Sequence, residues 1–217
     1  MSFECVLFDF DGTLADTEKY NLDYFALSVG AFGITLTDED RKALLGNTDP
    51  RIIEGILSRA SRPVSLEEWR KMRGSIGNTY ESDERLHPEP GAAECLRELR
   101  EKGLKLAVVS STQSRLIKAA LKRLSLYSLF DLILCGDDCQ IHKPDPYPYL
   151  AAMERLGVTP EKSIVVEDSP SGIKSGKAAG ALVIAYKGGC YEQDTSLADH
   201  EVESFPELSA LIGSLLV

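Results

Sequence analysis

The sequence predicts an α/β protein built on a doubly wound parallel sheet, with an all-helical domain inserted near its start. Three observations support this fold class. Short apolar runs without alternating polar residues recur along the chain, which is typical of strands buried on both faces. Helical patterns separate most of these runs. The exception is residues 16–87, where one helical pattern follows another.

Five apolar runs are predicted as strands of a Rossmann-like sheet, because strands that alternate with helices form right-handed βαβ units. In chain order they are CVLF at 5–8, KLAVVS at 105–110, LILC at 132–135, SIVVE at 163–167 and ALVIAY at 181–186. Three of the helical patterns end at a glycine, the usual stop signal: Gly103, Gly157 and Gly180. The α/β core is therefore predicted in residues 1–15 and 88–217.

The helical insertion is predicted over residues 16–87. Thr37 and Ser65 are each followed three residues later by an acidic residue, which is typical of a capping-box helix start. The pattern SLEEWRKMRGSIGNTYE predicts a helix that places Trp69, Ile76 and Tyr80 on one face, as part of the core of the insertion. The prolines and glycine of HPEPG then suit a connector back to the sheet.

Composition and charge narrow the possible functions. The 217 residues are 43% hydrophobic and 27% charged, as in a soluble globular protein with one good core and a smaller one. A formal charge of −10 argues against a nucleic-acid partner, because binding to phosphate backbones requires clustered lysines and arginines. No apolar run approaches the roughly 20 residues of a membrane span, so no membrane partner is expected.

Cysteine usage and the first residues predict where the protein resides. The five cysteines are odd in number and scattered, which is typical of a reducing compartment rather than of a disulfide framework. The sequence MSFECVLFDF lacks a basic stretch and Asp9 interrupts its apolar run, so we expect a first strand rather than a signal peptide. We therefore predict a cytoplasmic protein, and we expect a monomer.

Polar side chains follow the predicted strands at the points where the strands end. Ligands of a doubly wound sheet bind beyond the carboxyl ends of its strands, so these side chains are expected at one rim. The candidates are Asp9 and Asp11 after the first strand, Ser110 and Ser111 after the second, Lys143 after the third, and Glu167 and Asp168 after the fourth.

This set of side chains suits one divalent cation and a phosphate group. Clustered carboxylates repel one another unless a cation neutralises them, and oxygen ligands with open water positions suit Mg²⁺. Lys143 would cover the phosphoryl charge on the side away from the metal, and the Ser110 hydroxyl would hold a further oxygen. One carboxylate can attack phosphorus while its neighbour two residues on transfers protons.

Four segments, in their order and spacing, resemble the motifs of the haloacid dehalogenase superfamily. They are DFDGTLADT, VVSS, HKPDP and VVEDSPSGI. The similarity is to the phosphatase and β-phosphoglucomutase-like branch with a helical cap, and it covers essentially the whole chain. It implies that residues 1–15 and 88–217 are the catalytic core and that residues 16–87 are the cap domain.

The resemblance also implies a role for each strand-end residue. Asp9 resembles the nucleophile that becomes an aspartyl-phosphate, and Asp11 resembles the general acid and base. Ser110 and Lys143 resemble the phosphate-binding residues. Asp168, together with the Asp9 side chain and the Asp11 backbone carbonyl, resembles the Mg²⁺ site, and Glu167 would be a further ligand or a partner of one.

Each motif also has an ordinary structural explanation. A DG pair after a strand is usually a turn, and EDSPSG is typical of a helix start capped by Ser169. A serine at the end of a buried strand is often only a hydrogen-bonded hydroxyl, which leaves the role of Ser110 open. Cys135, Cys139 and His142 supply only three zinc ligands, so we interpret them as loop and strand-end residues.

Three classes of function remain open. The first is a Mg²⁺-dependent phosphatase for a small phosphorylated metabolite, a sugar or polyol phosphate, whose cap closes to exclude water. The second is a sugar-phosphate mutase on the same core. The third is a non-catalytic phosphate-binding module, which the presence of both Asp9 and Asp11 disfavours. A carbon–halogen hydrolase is disfavoured because halide leaves without a proton, so that Asp11 would have no task.

The cap departs from the mutase branch at two positions. That branch has a histidine where Asn21 aligns and an arginine where Asp49 aligns. Asparagine does not titrate near neutral pH and aspartate would repel a second phosphate, which favours a phosphatase. Substrate-reading candidates in the segment LLGNTDPRII are Gly46, Asn47 and Arg51, and Arg51 is also the residue that can replace the missing arginine.

Overall fold

A computed structural model describes residues 3–44, 49–189, 191 and 193–216 of the chain. The chain forms two compact units, one made of Met1–Asp16 with Leu86–Val217 and the other of Thr17–Arg85. The helical insertion predicted over residues 16–87 overlaps the second unit. None of the helices in the described residues is long and apolar enough to cross a membrane.

Six parallel strands form one sheet in the first unit. They are β1 (Cys5–Phe8), β2 (Lys105–Val109), β3 (Leu132–Leu134), β4 (Ser163–Glu167), β5 (Leu182–Tyr186) and β6 (His200–Val202). Their order in the sheet, β3-β2-β1-β4-β5-β6, confirms the doubly wound topology and puts its switch point between β1 and β4. All five predicted strands are present. β6 is missing from the prediction because its three residues, HEV, are too few and too polar to stand out.

The second unit is helical in its described residues. Its helices are α1 (Glu18–Gly30), α2 (Asp38–Leu44), α3 (Pro50–Leu57), α4 (Leu66–Ser75) and α5 (Thr79–Ser82). Trp69 of α4 is buried in its core, where the ring packs 5.2 Å from the Phe25 ring and the indole N–H donates a 2.9 Å hydrogen bond to Ser28 Oγ. Trp69 is therefore a core residue, as predicted. The capping box is present at Thr37, where the Asp40 N–H donates to Thr37 Oγ1 and the Thr37 N–H donates to Asp40 Oδ2. Ser65 caps α4 by accepting from the Glu68 N–H, whereas the Glu68 carboxylate pairs with Arg62.

The prediction of one continuous helix over SLEEWRKMRGSIGNTYE is wrong. α4 ends at Ser75 and α5 begins only at Thr79. Between them Gly77 has a φ of +89°, a left-handed conformation that ends helices and that favours glycine. Tyr80 is buried, as predicted, but it lies on a different helix from Trp69, and its hydroxyl accepts a 3.1 Å hydrogen bond from Asn21 Nδ2.

Helices cover both faces of the sheet in the first unit. They are α6 (Ala92–Glu101), α7 (Ser114–Arg123), α8 (Tyr147–Leu156), α9 (Pro170–Ala178) and α10 (Phe205–Leu215). Tyr149 of α8 and Ile173 of α9 belong to one core cluster with Leu7 of β1. The next residue, Phe8, points to the opposite face and stacks on Phe205 of α10, with ring centroids 6.5 Å apart. Burial on both faces explains why the strands lack alternating polar residues.

Candidate active site

The strands that carry the predicted site residues end level with one another. Phe8, the last residue of β1, lies opposite Val108 of β2 and Val166 of β4. The residues that follow these three strands therefore emerge at the same edge of the sheet, beside its topological switch point. The structure thus brings the side chains of the first, second and fourth motifs together.

The turn after β1 depends on Gly12. Its φ of +79° lies in the left-handed region, and a Cβ there would lie 2.3 Å from Asp168 Oδ2. Both the conformation and the close approach require glycine. The DG pair therefore forms a turn and also lets the backbone after β1 lie directly against the Asp168 carboxylate.

Lys143 links two buried carboxylates. Its Nζ lies 2.6 Å from Asp9 Oδ1 and 2.6 Å from Glu167 Oε1, and it donates a 2.8 Å hydrogen bond to the carbonyl oxygen of Val109. The three side chains of Lys143, Asp9 and Glu167 are 4%, 10% and 0% exposed. Since an ammonium has three N–H donors, each of them has an acceptor, and the amine is held beside Asp9 in one orientation.

The charges of this group are strongly coupled. Burial raises the pKa of Asp9 well above its usual range, with Lys143 opposing the shift and the neighbouring carboxylates adding to it. Burial would lower the pKa of Lys143, but the charges of Asp9 and Glu167 outweigh it and raise that pKa well above its ordinary value. Lys143 is therefore a permanent cation. A further cation bound beside Asp9 would favour the carboxylate form of Asp9, which burial disfavours.

Glu167 accepts hydrogen bonds at both of its oxygens. Oε1 accepts from Lys143 and, at 2.9 Å, from the Tyr149 hydroxyl. Oε2 accepts from the backbone N–H groups of Asp168 and Ser169, at 3.1 and 3.2 Å, and from the Ser169 hydroxyl at 3.0 Å. The predicted helix cap is also present, because Ser169 Oγ accepts from the first turn of α9. These contacts make Glu167 an anchor for Lys143.

The Asp11 carboxylate accepts hydrogen bonds from hydroxyl groups. Its Oδ2 accepts a 2.9 Å hydrogen bond from Thr112 Oγ1 and a 3.3 Å hydrogen bond from Ser110 Oγ. Ser110 Oγ in turn accepts from the Thr112 N–H at 3.0 Å. Thr112 is absent from the sequence prediction, although a third hydroxyl residue directly after VVSS is a signal that could have indicated it.

An acidic cluster of Asp9, Glu167 and Asp168 presents one oxygen from each residue within 4.8 Å of the others. Carboxylate oxygens are the ligands that Mg²⁺ prefers, so this donor set fits a magnesium ion. The predicted set was Asp9, Asp11 and Asp168. The structure has the Asp11 side chain hydrogen-bonded to hydroxyl groups. This is compatible with the prediction that Asp11 contacts the metal through its backbone carbonyl.

Asp168 has a hydrogen-bond donor at each oxygen. Thr13 Oγ1 donates to Oδ1 at 3.2 Å, and Gln193 Nε2 donates to Oδ2 at 3.1 Å. Thr13 belongs to the first motif. Gln193 lies in the loop after β5, outside all four motifs, and nothing in its local sequence distinguishes it from an ordinary surface glutamine.

The remaining predicted substrate-binding residues are Ser111, Gly46, Asn47 and Arg51. Ser111 is exposed. Gly46 and Asn47 lie outside the described residues. Arg51 is paired with Asp49, with Nη2 2.6 Å from Oδ2 and Nε 3.1 Å from Oδ1, and its side chain is 87% exposed.

Comparison with known proteins now identifies the family. A family model described as haloacid dehalogenase-like hydrolase matches residues 6–186, which is most of the chain. The chain belongs to the haloacid dehalogenase-like hydrolases. The segments DFDGTLADT, VVSS, HKPDP and VVEDSPSGI all lie within the matched range.

Two curated relatives match over long segments. A phosphorylated carbohydrates phosphatase from Thermotoga maritima is 34% identical over 182 residues, 82% of each chain. A phosphoglycolate phosphatase from Aquifex aeolicus is 30% identical over 213 residues, 98% of each chain. Both proteins are named as phosphatases of small molecules.

A solved structure also matches over nearly the whole chain. CbbY from Rhodobacter sphaeroides, crystallised in complex with phosphate, is 28% identical with a TM-score of 0.77. The match covers 95% of this chain and 96% of that one. CbbY has also been crystallised as a variant in complex with xylulose-(1,5)bisphosphate.

Proposed function

We propose that this protein is a Mg²⁺-dependent phosphatase that hydrolyses a small phosphorylated metabolite, a sugar or polyol phosphate, through an aspartyl-phosphate on Asp9. The observation that carries the proposal is the different surroundings of two neighbouring aspartates. Asp9 is buried against the Lys143 ammonium, whereas Asp11 accepts from the hydroxyls of Ser110 and Thr112. Paired carboxylates in unlike environments take different chemical roles.

In the first step Asp9 is the nucleophile. A carboxylate oxygen of Asp9 forms a bond to phosphorus, and the bond from phosphorus to the leaving oxygen breaks with its electron pair. That oxygen takes a proton from the carboxyl group of Asp11. The products of this step are the dephosphorylated metabolite and a phosphorylated Asp9.

In the second step water releases the phosphate. Asp11, now a carboxylate, takes a proton from water as the water oxygen bonds to phosphorus. The bond between phosphorus and the Asp9 oxygen breaks, which restores the Asp9 carboxylate and yields inorganic phosphate. The Thr112 hydroxyl orients Asp11 in both steps. The Ser110 hydroxyl has one O–H donor, so it turns from Asp11 to a phosphate oxygen when the substrate binds.

The cation would be held by Asp9, Asp168 and the Asp11 backbone carbonyl. A bound Mg²⁺ would supply positive charge that offsets the negative charge of the phosphate and the carboxylates. Lys143 supplies the second positive charge of the site, and Glu167 fixes its position. Ser110, Ser111 and Lys143 are the proposed phosphate-binding residues.

The contacts of two residues in the helical unit favour a phosphatase over a mutase. The side chain of Asn21, where the mutase branch has a histidine, accepts from Thr79 Oγ1 at 2.9 Å and donates to the Tyr80 hydroxyl at 3.1 Å. Arg51, the residue that can replace the missing arginine, is engaged by Asp49. A substrate phosphate would have to compete with that carboxylate. Gly46, Asn47 and Arg51 remain the proposed substrate-reading residues of the cap.

Substrate class and compartment complete the proposal. The relatives named for phosphorylated carbohydrates and phosphoglycolate support a small phosphorylated metabolite. The four cysteines that the structure describes are free, Cys5, Cys95, Cys135 and Cys139. Free thiols support residence in the cytoplasm, which is reducing.

Phosphate release from a panel of substrates tests this function. The panel contains sugar phosphates, polyol phosphates and nucleotides, each with Mg²⁺, and inorganic phosphate is measured with Asp9→Asn as the control. We expect turnover of a sugar or polyol phosphate by the wild type alone. Turnover of no phosphomonoester, with phosphate binding retained, would favour a binding module instead.

A second assay separates hydrolysis from isomerisation. The enzyme receives β-glucose 1-phosphate with catalytic glucose 1,6-bisphosphate and Mg²⁺, and both glucose 6-phosphate and inorganic phosphate are measured. We expect negligible glucose 6-phosphate. Formation of the isomer far in excess of phosphate release would establish the mutase.

A further inference from the structure

The loop after β5 returns to the edge of the sheet and contacts the acidic cluster. A Cβ on Gly189 would lie 3.2 Å from the carbonyl oxygen of Gly12, so the loop backbone passes close to the turn after β1. Four residues further on, Gln193 Nε2 donates a 3.1 Å hydrogen bond to Asp168 Oδ2. This loop thus meets the Asp168 carboxylate although it lies outside the four motifs.

Gln193 is followed two residues later by a packed residue, Thr195. Thr195 is buried, its hydroxyl donates to Glu201 of β6, and its carbonyl oxygen accepts from the Ala198 N–H at 2.9 Å. Gln193 itself is half-buried. The packed residue Thr195 therefore helps to hold the Gln193 amide within reach of Asp168.

The hydrogen bond from Gln193 completes the fixation of the Asp168 carboxylate. Oδ1 accepts from Thr13, Oδ2 accepts from Gln193, and Gly12 lies against Oδ2. Both donors are neutral, so they restrict rotation of the carboxylate without cancelling its charge. Neutral donors behind a ligand orient it for a cation, whereas a lysine or arginine in the same place would compete with that cation.

We infer that Gln193 is a positioning residue for divalent-metal binding, which holds the Asp168 carboxylate in the orientation that it needs to meet a cation together with Asp9. The inference rests on the proposed magnesium-dependent function. Hydrogen bonds behind metal ligands typically contribute about 10- to 100-fold to metal affinity. Loss of the Gln193 amide is therefore expected to weaken Mg²⁺ binding without preventing it.

Calorimetric titration of the metal-free protein with MgCl₂ alone, without substrate, tests this inference. Gln193→Leu removes the donor, and Gln193→Asn keeps the amide on an arm that is one methylene too short. We expect both variants to raise the dissociation constant for Mg²⁺ about tenfold. Gln140→Leu, at an exposed glutamine, is the matched control and should bind as the wild type does. The metal-free melting temperatures of the Gln193 variants should equal that of the wild type.

Asp168→Asn separates failure of this inference from failure of the proposed function. If Asp168→Asn loses Mg²⁺ binding while Gln193→Leu binds as the wild type does, the inference alone is overturned. If Asp168→Asn binds Mg²⁺ normally, the proposed metal site is overturned together with the inference. If the metal-free melting temperatures of the Gln193 variants fell together with their Mg²⁺ affinity, the inference would also be overturned, because Gln193 would then support only the fold.

Discussion

The Tyr149 hydroxyl donates a 2.9 Å hydrogen bond to Glu167 Oε1 beneath the active site. Both residues are 0% exposed, and burial followed by the charge of Glu167 raises the pKa of Tyr149 well above its ordinary value, so the phenol stays a donor. The ring of Tyr149 also lies 5.0 Å from Lys143 Nζ. A residue of the hydrophobic core thereby supports the anchor that holds Lys143 beside Asp9.

Tyr149→Phe tests this support. The variant keeps the ring but leaves Glu167 with one donor fewer in a buried site, where a hydrogen bond to a charged group contributes about 1.5 kcal/mol or more. We expect the free energy of unfolding, measured by urea denaturation, to fall by about that amount. Tyr147→Phe changes an exposed tyrosine of the same helix and should stay within about 0.5 kcal/mol of the wild type. Equal effects of the two variants would contradict the anchoring role.

Asp9 and Asp11 are expected to respond differently to the leaving group. Asp9→Asn removes the nucleophile, so turnover should fall at least about 10³-fold whatever the leaving group is. Asp11→Asn removes proton transfer, so turnover should fall about 10² to 10⁴-fold. In the first step the loss should be smaller when the leaving group needs no proton.

Stopped-flow measurement with p-nitrophenyl phosphate and an alkyl phosphate separates these losses. The burst of nitrophenolate should persist in Asp11→Asn and be absent in Asp9→Asn. Thermal melts confirm that both variants fold. A burst in Asp9→Asn would rule out the covalent intermediate on Asp9.

Gly172 of α9 is expected to be intolerant of alanine. A Cβ at this position would lie 1.7 Å from Glu167 Oε1, so the anchor or the helix must shift. We expect Gly172→Ala to lower the free energy of unfolding by about 1–3 kcal/mol and to reduce turnover.

Gly213→Ala is the matched control for that substitution. Gly213 is also helical, but apart from its chain neighbours and the backbone of its own helix, no atom of the described residues lies within 4 Å of the place that its Cβ would take. The substitution should therefore stabilise the protein by up to about 1 kcal/mol. Denaturant titration of both variants checks the pair. Stabilisation by both would mean that α9 does not pack tightly on Glu167.

Glu89 gives the protein a specific pH dependence. Its carboxylate accepts a 2.8 Å hydrogen bond from the Tyr186 hydroxyl, and burial raises its pKa above the ordinary value, with Tyr186 opposing the shift. Because the folded-state pKa is raised, the stability that Glu89 contributes is complete below its unfolded-state pKa. That contribution is lost as pH rises through the folded-state pKa.

Glu89→Gln removes this dependence and keeps an acceptor for Tyr186. We expect the stability of the variant relative to the wild type to increase as pH rises from about 4 to about 8. Thermal denaturation across that range measures the difference, with Glu84→Gln, at an exposed glutamate, as the control. A difference that stays constant or falls with rising pH would contradict the raised pKa.

Local sequence patterns by themselves determined the order of elements in this protein and the strand-end residues of its site. Apolar runs without alternation identify β1 to β5, because strands covered by helices on both faces must be apolar throughout. Since parallel strands share one carboxyl edge, the same runs also predict that Asp9, Ser110 and Asp168 lie close together. Both the order of the strands and the residues at their ends can be read from short segments of the sequence.

Only the tertiary structure decided which side chains support that site. Lys143 and Glu167 are 24 residues apart, Thr112 and Asp11 are 101 apart, and Gln193 and Asp168 are 25 apart. In these three pairs the donor and acceptor atoms lie 2.6 to 3.1 Å apart. Whether they come so close depends on how loops and helices pack against the sheet. A pattern of residue types in one segment does not contain that geometry, because hydrogen bonds form between whichever polar atoms the completed fold brings within reach.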